Sequence, residues 1–335
     1  MIVESYVATA APVGSAFVSK KLRASLSPAT VRNVMAELEG AGFVVQPHTS
    51  AGRVPTDRGY RYYVDAVMET PRLPDDELRR MEDLIQPQEL DMDHLLARAI
   101  EVLSELTQQA AFVVAPTVRQ STVKQIELVP VSVRKVLCVL VANEEIVASH
   151  LVEMEAPMSR EEAASLVRFI NSELSGLTFQ DLVASLERRL LGGSESFFSM
   201  VKRSLAILQH ALSTEPMGRF VLEGTTYMLA QPEFNRDPRK VHDLMRGLDG
   251  EQALLERLRQ DLTAEGVRVR IGHEVAVPGL EGCSYIAAPL RLGSDVQAGI
   301  GILGPKRMDY PRLHAMVEAM GRCVADLVER WEAGG

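Results

Sequence analysis

Residues 27–63 constrain this chain more than any other stretch, because they join a capped helix, a short strand and a polar hairpin in one span. Ser27 offers an N-cap and Pro28 suits the first helical position. Val31, Met35, Leu38 and Phe43 then supply an apolar stripe that needs a small core to cover it. Thr30, Arg32 and Asn33 are left near the solvent-facing N-terminal end. Gly40 or Gly42 can make the left-handed stop, Phe43 to Gln46 alternates like a strand, and His48 to Arg53 is a polar loop turning at Gly52. This spacing predicts Arg53 at the tip of a wing. Thr56 caps a further helix with Tyr60, Tyr63, Val64 and Val67 at helical spacing and Arg58 and Arg61 facing outward. Upstream, Pro12-Val13-Gly14-Ser15 reads as a turn and cap opening a short helix through Leu22. The whole is the outline of a winged helix-turn-helix, a DNA-reading module.

In such modules the N-terminal part of the second helix meets base edges, where Arg and Asn can form bidentate pairs with guanine and adenine. Thr30, Arg32 and Asn33 are therefore the candidate base readers. Ser15, Lys20, Lys21, His48, Ser50, Arg53, Arg58 and Arg61 are candidates for phosphate or wing contacts. Each has a plainer reading: a surface Arg is usually a solvated charge, Asn33 can bond a neighbouring turn, and His48 can satisfy local backbone. It is the joint pattern that favours DNA. Tyr60, Tyr62 and Tyr63 are expected in the core or its rim, since paired bases offer no face for stacking.

Charge supports the same division. Residues 1–72 hold eight Lys or Arg against six Asp or Glu, a net of +2, while the whole chain carries −9, so the remaining 263 residues carry −11. A basic end on an acidic body can neutralise phosphates while discouraging indiscriminate binding.

Several motifs together resemble one family. Pro12-Val13-Gly14-Ser15, Ala29-Thr30-Val31-Arg32-Asn33, and Gln46-Pro47-His48-Thr49-Ser50-Ala51-Gly52-Arg53-Val54-Pro55-Thr56 with Gly59-Tyr60-Arg61 are similar to the HrcA family of bacterial heat-inducible transcription repressors. Ile271-Gly272-His273-Glu274 and Gly304-Pro305-Lys306-Arg307-Met308-Asp309-Tyr310 resemble its C-terminal signatures. The resemblance implies a homodimeric repressor on an inverted-repeat operator ahead of chaperone operons, assisted by the chaperonin. It also implies a GAF-like domain carrying an inserted dimerisation domain. Pro28 stands where a second Ser is usual and Val34 where Glu is common, yet neither removes a candidate reader. The family has further turns of helix before Ile2-Val3-Glu4-Ser5-Tyr6-Val7, whereas this chain begins inside that helix. A helix of about eight residues is marginal alone, so the expectation is a start codon assigned too late.

At 335 residues and 46% apolar composition the chain should form two or three domains with substantial cores. No apolar run approaches a membrane span, and Met1-Ile2-Val3-Glu4 lacks the basic start of a secretory signal, so a cytoplasmic location is expected. Cys138, Cys283 and Cys323 are far apart in apolar segments, and the seven His are scattered without ligand spacing. No metal or cofactor is expected.

Prolines at Pro71 and Pro74 close the first module, giving a DNA-binding domain at 1–72. Helices are predicted over Asp75–Gln86 and Asp91–Ala110, the second with Leu95, Leu96, Ala99, Ile100, Leu103 and Leu106 in a stripe that packs in its own domain or against a partner helix. Val123–Val131, Lys135–Val141 and Ile146–Met154 read as strands. Ser159 and Glu162 form a capping box for a helix to about Leu174, and helices follow near Phe179–Leu190 and Ser196–Leu212, broken by Gly192-Gly193. A short strand at Phe220–Leu222 and two helices precede strands near Val267–Ile271, Ser284–Leu290 and Val296–Leu303. A terminal helix is striped by Leu313, Met316, Val317, Met320, Val324, Leu327, Val328 and Trp331. The predicted class is a multidomain α+β protein. Its GAF-like α+β domain would take 73–156 and 236–335, and the inserted α/β dimerisation domain 157–235. The alternative of a different class is a ligand-sensing winged-helix regulator whose GAF-like domain binds a small metabolite.

Gly299-Ile300-Gly301-Ile302-Leu303-Gly304 matches G-x-G-x-x-G, but a dinucleotide site needs those glycines where a strand turns into a helix. Here they fall within a strand and Pro305 follows, so close packing is the expected reason for them. No nucleophile elbow or local Ser-His-Asp or Cys-His set is present, and no catalytic residue is assigned.

Overall fold

The computed structural model describes residues 1–22, 26–49, 51–86, 92–114, 123–142, 145–154, 156–174, 177, 179–189, 201–209, 220–292 and 296–334. The chain divides into two compact units, one of Met1–Val114, Phe220–Leu290 and Ala298–Gly335, the other of Ala115–Arg219 and Arg291–Gln297.

The first unit starts with a head of four helices and a hairpin: α1 (Ile2–Thr9), α2 (Ser15–Lys21), α3 (Pro28–Gly40), β1 (Val44–Val45) paired with β2 (Val54–Pro55), and α4 (Asp57–Ala66). α3 begins at Pro28 because the Ser27 hydroxyl accepts the Thr30 N–H at 3.1 Å. Its exit runs through Gly42, at φ 78°, while Gly40 remains inside the helix. Val13, Val18, Val31 and Met35 make the buried centre, with Leu22 packed against it. Thr56 caps α4 by accepting the Gly59 N–H at 3.1 Å, and its own hydroxyl donates to the Gly42 carbonyl at 2.7 Å. The hairpin is tied back by a bridge in which Val13 and Arg53 exchange both backbone hydrogen bonds at 2.9 Å.

After the head come α5 (Asp75–Ile85), α6 (Met92–Thr107) and β3 (Ala110–Val114). The second unit holds β4 (Gln125–Ser132), β5 (Lys135–Ala142) and β6 (Glu145–Glu153), an antiparallel sheet in that order. It also holds α7 (Arg160–Glu173), α8 (Phe179–Arg189) and α9 (201–209). Ile126, Leu128, Val136, Cys138 and Leu140 from the sheet share one core with Leu166, Ile170, Leu182, Leu186, Leu205 and Leu208 from the helices. Ser159 and Glu162 form the capping box of α7. The Asn171 amide bonds both the N–H and C=O of Ile126, at 2.8 and 3.0 Å, and so satisfies the edge of β4. A sheet's apolar face needs cover, and α7–α9 provide it. The unit therefore begins near 115, whereas the sequence placed the sheet with the preceding domain and drew the boundary at 157.

The chain then returns to the first unit through β7 (Phe220–Glu223), α10 (Thr225–Ala230), α11 (Pro232–Asn235), α12 (Pro238–Asp249) and α13 (Glu251–Leu262). β8 (Arg268–Ile271), a 3-10 turn at Gly272–Val275, β9 (Cys283–Leu292), β10 (Val296–Pro305) and α14 (Tyr310–Gly334) complete it. Its sheet runs β7-β3-β10-β9-β8. On one face Phe112, Tyr285 and Ala287 pack with Leu244, Leu254 and Leu258 of the helices, and on the other Gly321 of α14 approaches Ala288, Leu290 and Ile300. The glycines of β10 are explained here. A Cβ on Gly299 would lie 2.1 Å from the Leu262 side chain, and one on Gly301 would lie 2.3 Å from the Ile286 carbonyl. Among the described residues no helix is long and apolar enough to cross a membrane.

Candidate nucleic-acid interface

The candidate readers lie on the outer side of α3. Arg32 and Asn33 are exposed and have no side-chain partner among the described residues, so both are free to bond an incoming molecule. Thr30 is exposed too, but its hydroxyl lies 2.9 Å from the Ser27 hydroxyl and belongs to the cap. On α2, Lys20 is exposed, and Lys21 lies over the Phe17 ring at 5.3 Å. Ser15 is the half-buried first residue of α2, and the cap position is Gly14. His48 is exposed on the hairpin, and Ser50 lies outside the described residues.

Of the remaining three cations, Arg58 is exposed as expected, and Arg53 and Arg61 are placed differently from the sequence expectation. Arg53 is not at a wing tip: its backbone bridges Val13 and its guanidinium pairs with Glu39 at 2.8 Å, while Glu39 also accepts the Gln46 N–H at 3.0 Å. That pairing staples the hairpin to the end of α3. Arg58 is exposed but folded back, its guanidinium 4.8 Å above the Phe43 ring and donating to the Ala41 carbonyl at 2.9 Å. Arg61 does not face outward. Its Nε and Nη2 donate to the two carboxylate oxygens of Glu274 at 3.0 and 2.6 Å, and Nη2 also donates to the Val269 carbonyl at 2.6 Å. Burial alone would lower the Arg61 pKa, but hydrogen bonds to Glu274 and Asp65 outweigh it and raise it. The partner of Arg61 is 213 residues away in sequence, so no local pattern could have shown the pair.

A second connection of this kind went unseen in the sequence. Asp57, the first residue of α4, takes the Lys306 ammonium at 2.6 Å and accepts the His273 N–H at 3.2 Å. Arg307 pairs with Glu233 and donates to the Val7 carbonyl of α1 at 2.8 Å. Tyr60, 2% exposed, packs its ring 5.8 Å from that of Tyr310. Tyr60 and Tyr63 are buried as expected, and Tyr62 lies at the rim against Phe43.

The three cysteines are buried, and burial pushes the Cys138 thiol up to about 12, which leaves it a poor nucleophile at neutral pH. The HrcA protein C terminal domain matches residues 93–313 of the chain. A heat-inducible transcription repressor from Pelotomaculum thermopropionicum is 32% identical over 329 residues, covering 98% of this chain and 94% of that protein. This chain belongs to the HrcA family. A second HrcA relative, from Chlorobium chlorochromatii and also named a heat-inducible transcription repressor, is 36% identical over 316 residues, covering 92% of this chain and 89% of the relative. HrcA is a family of transcription repressors, and the chain is a repressor of that type, not an enzyme. A crystal structure of a hypothetical protein shares the fold, with a TM-score of 0.57 at 23% identity, covering 98% of this chain and 94% of the other. The mixed helix and sheet architecture is thus common to both.

Proposed function

We propose that this HrcA member represses chaperone and chaperonin operons in the cytoplasm by binding an inverted-repeat operator as a homodimer, its head acting as a winged helix-turn-helix. The observation that carries the reading is the outer side of α3, where Arg32 and Asn33 stand exposed with no side-chain partner among the described residues, while the neighbouring α2 carries the exposed Lys20. A solvated structural arginine gains nothing from an exposed amide on the same helix and cations on the neighbouring one, whereas a major groove and its phosphates use all three. Arg32 and Asn33 would read bases, with Thr30 at the helix start. Lys20, Lys21, Ser15, His48 and Ser50 would face phosphate or the minor groove. Arg53, Arg58 and Arg61 already hold partners and are better explained as internal supports. A two-fold operator calls for a two-fold protein. We assign the sheet of five strands and its helices to a GAF-like body, the unit around 115–219 to dimerisation, and the chaperonin to the role of co-regulator that the family resemblance implies.

Footprinting on inverted repeats ahead of chaperone operons tests the proposal. Protection of such repeats is expected, and its absence at every one of them would sink the reading. Purified chaperonin added to the same assay should strengthen protection.

A further inference from the structure

Two sequence motifs of the body have no part in reading DNA, yet both end on the head. Ile271-Gly272-His273-Glu274 and Gly304-Pro305-Lys306-Arg307-Met308-Asp309-Tyr310 lie far apart in sequence and converge on α4. Asp57 and Arg61 are four residues apart on that helix and so share a face. Asp57 accepts from Lys306 and from the His273 N–H, and one turn later Arg61 is clamped by both oxygens of Glu274 and by the Val269 carbonyl. Gly272 fits beneath Asp57 because it has no side chain: at φ +56°, a Cβ there would lie 2.1 Å from the Asp57 carboxylate. Glu274 is itself oriented by accepting the Ile271 N–H at 3.1 Å. Beside these, Tyr60 rests on Tyr310, whose hydroxyl donates to the Lys306 carbonyl at 2.7 Å, and Arg307 holds the Val7 carbonyl of α1.

The head thus offers an acid and then a base, and the body answers with a base and then an acid. A rotation of α4 by half a turn, or a slide of one turn, would leave these charges unmatched. Arg61 and Glu274 are 28% and 31% exposed, a setting in which ion pairs contribute little to stability but strongly fix register. With α1 held by Arg307, the attachment has several separated points, and such an attachment fixes an angle.

We propose that these two turns form a socket that sets the angle of the head on the body, which makes Asp57, Arg61, Glu274 and Lys306 positioning residues for operator binding. The proposal rests on the DNA-binding reading above. A dimer gains affinity on an inverted repeat only if both heads are held where both half-sites can be reached together. A head freed from its socket still recognises one half-site but loses that gain.

The test uses the full chain and the DNA that the unaltered chain itself selects from a random pool, as the whole repeat and as one half. Arg61→Glu and Glu274→Arg should each weaken binding to the whole repeat by more than about tenfold while leaving the half-site within about twofold. Amide exchange across 57–66 should quicken in both, and the double exchange Arg61→Glu with Glu274→Arg should recover most of the affinity and the protection. Whole-repeat binding equal to that of the unaltered chain overturns the proposal, as does a double variant without recovery. Equal losses on whole and half sites would place Arg61 on DNA instead, which also overturns it. If Arg61→Glu does not fold, Glu274→Gln and Lys306→Gln carry the same comparison. If the unaltered chain selects no DNA, the operator reading itself fails and the socket's purpose fails with it, an outcome visible before any variant is made.

Discussion

α3 and α4 belong to the same head, both begin at a hydroxyl cap, and both carry arginines, yet they use those arginines in opposite ways. Arg32 of α3 is exposed with no side-chain partner among the described residues, while Arg58 of α4 folds onto Phe43 and Arg61 is held by Glu274. The helices differ in burial to match. α3 buries only Val31 and Met35 and leaves Val34 at 45% exposure, whereas α4 buries Gly59, Tyr60 and Tyr63 against its surroundings. A basic residue therefore declares its role through what lies across from it. α3 is free to meet another molecule because it is attached through one face only, and α4 is the face by which the head is attached.

The largest effect should come from forcing space where α4 has none. A Cβ on Gly59 would lie 2.0 Å from the Phe43 carbonyl, a backbone atom that cannot step aside, whereas a Cβ on Gly40 at the end of α3 meets nothing within 4 Å. Gly59→Ala is expected to destabilise the chain by about 1–3 kcal/mol or more. Gly40→Ala should stabilise it by about 0.4–1 kcal/mol, since it reduces unfolded-state freedom at a compatible position. Denaturant midpoints would measure both, and equal shifts would erase the distinction between the two helices.

Next in size is Arg32→Ala. Because Arg32 is exposed and has no side-chain partner among the described residues, stability should stay within about 0.5 kcal/mol, while operator affinity falls by about 1–3 kcal/mol and preference at one base position relaxes. A binding titration against operator and scrambled DNA tests this. Equal losses on both would remove Arg32 from base reading. Ser27→Ala should cost about 1 kcal/mol of stability, as loss of an N-cap does. Its denaturant midpoint separates it from Arg32→Ala: a drop in affinity without a drop in stability would mean that Ser27 touches DNA directly.

What the sequence disclosed and what it hid divide along similar lines. Features set within a few residues were legible: the caps at Ser27 and Thr56, the capping box of Ser159 and Glu162, the strands β4–β6, and the stripe of α14, whose Leu313, Met316, Val317 and Met320 are buried. β3 was missed because Ala110–Val114 follows an amphipathic helix and is buried on both faces. Such a strand shows no alternation, and the sequence reading ended the helix at Ala110 and assigned nothing to 111–114. The boundary near 115 was missed for a related reason, since nothing in β4 says which helices will cover it. At the candidate site, the exposure of Arg32 was legible because it follows from helical period. Arg53 and Arg61 were misplaced because Glu39 and Glu274 select them through tertiary contact, and outward spacing on a helix cannot reveal a second body laid against it.

The smallest effect sharpens the comparison furthest. Lys20 and Arg61 are both cations of the head, and the DNA reading of the sequence treated them alike. Lys20 sits in the last turn of α2, exposed and without a side-chain partner among the described residues, where a phosphate would replace water. Its contribution to binding should come from releasing a counterion, which depends on salt and hardly on sequence. Lys20→Ala is therefore expected to weaken operator and random DNA alike and to flatten the slope of log affinity against log salt by about 1. Arg61→Ala, whose cation already faces Glu274 and Asp65, releases no counterion on binding and should leave that slope unchanged even as whole-repeat affinity falls. Titrations of both variants across a salt series decide the matter. A slope change at Arg61 equal to that at Lys20 would return Arg61 to the DNA surface and dissolve the difference between the two helices.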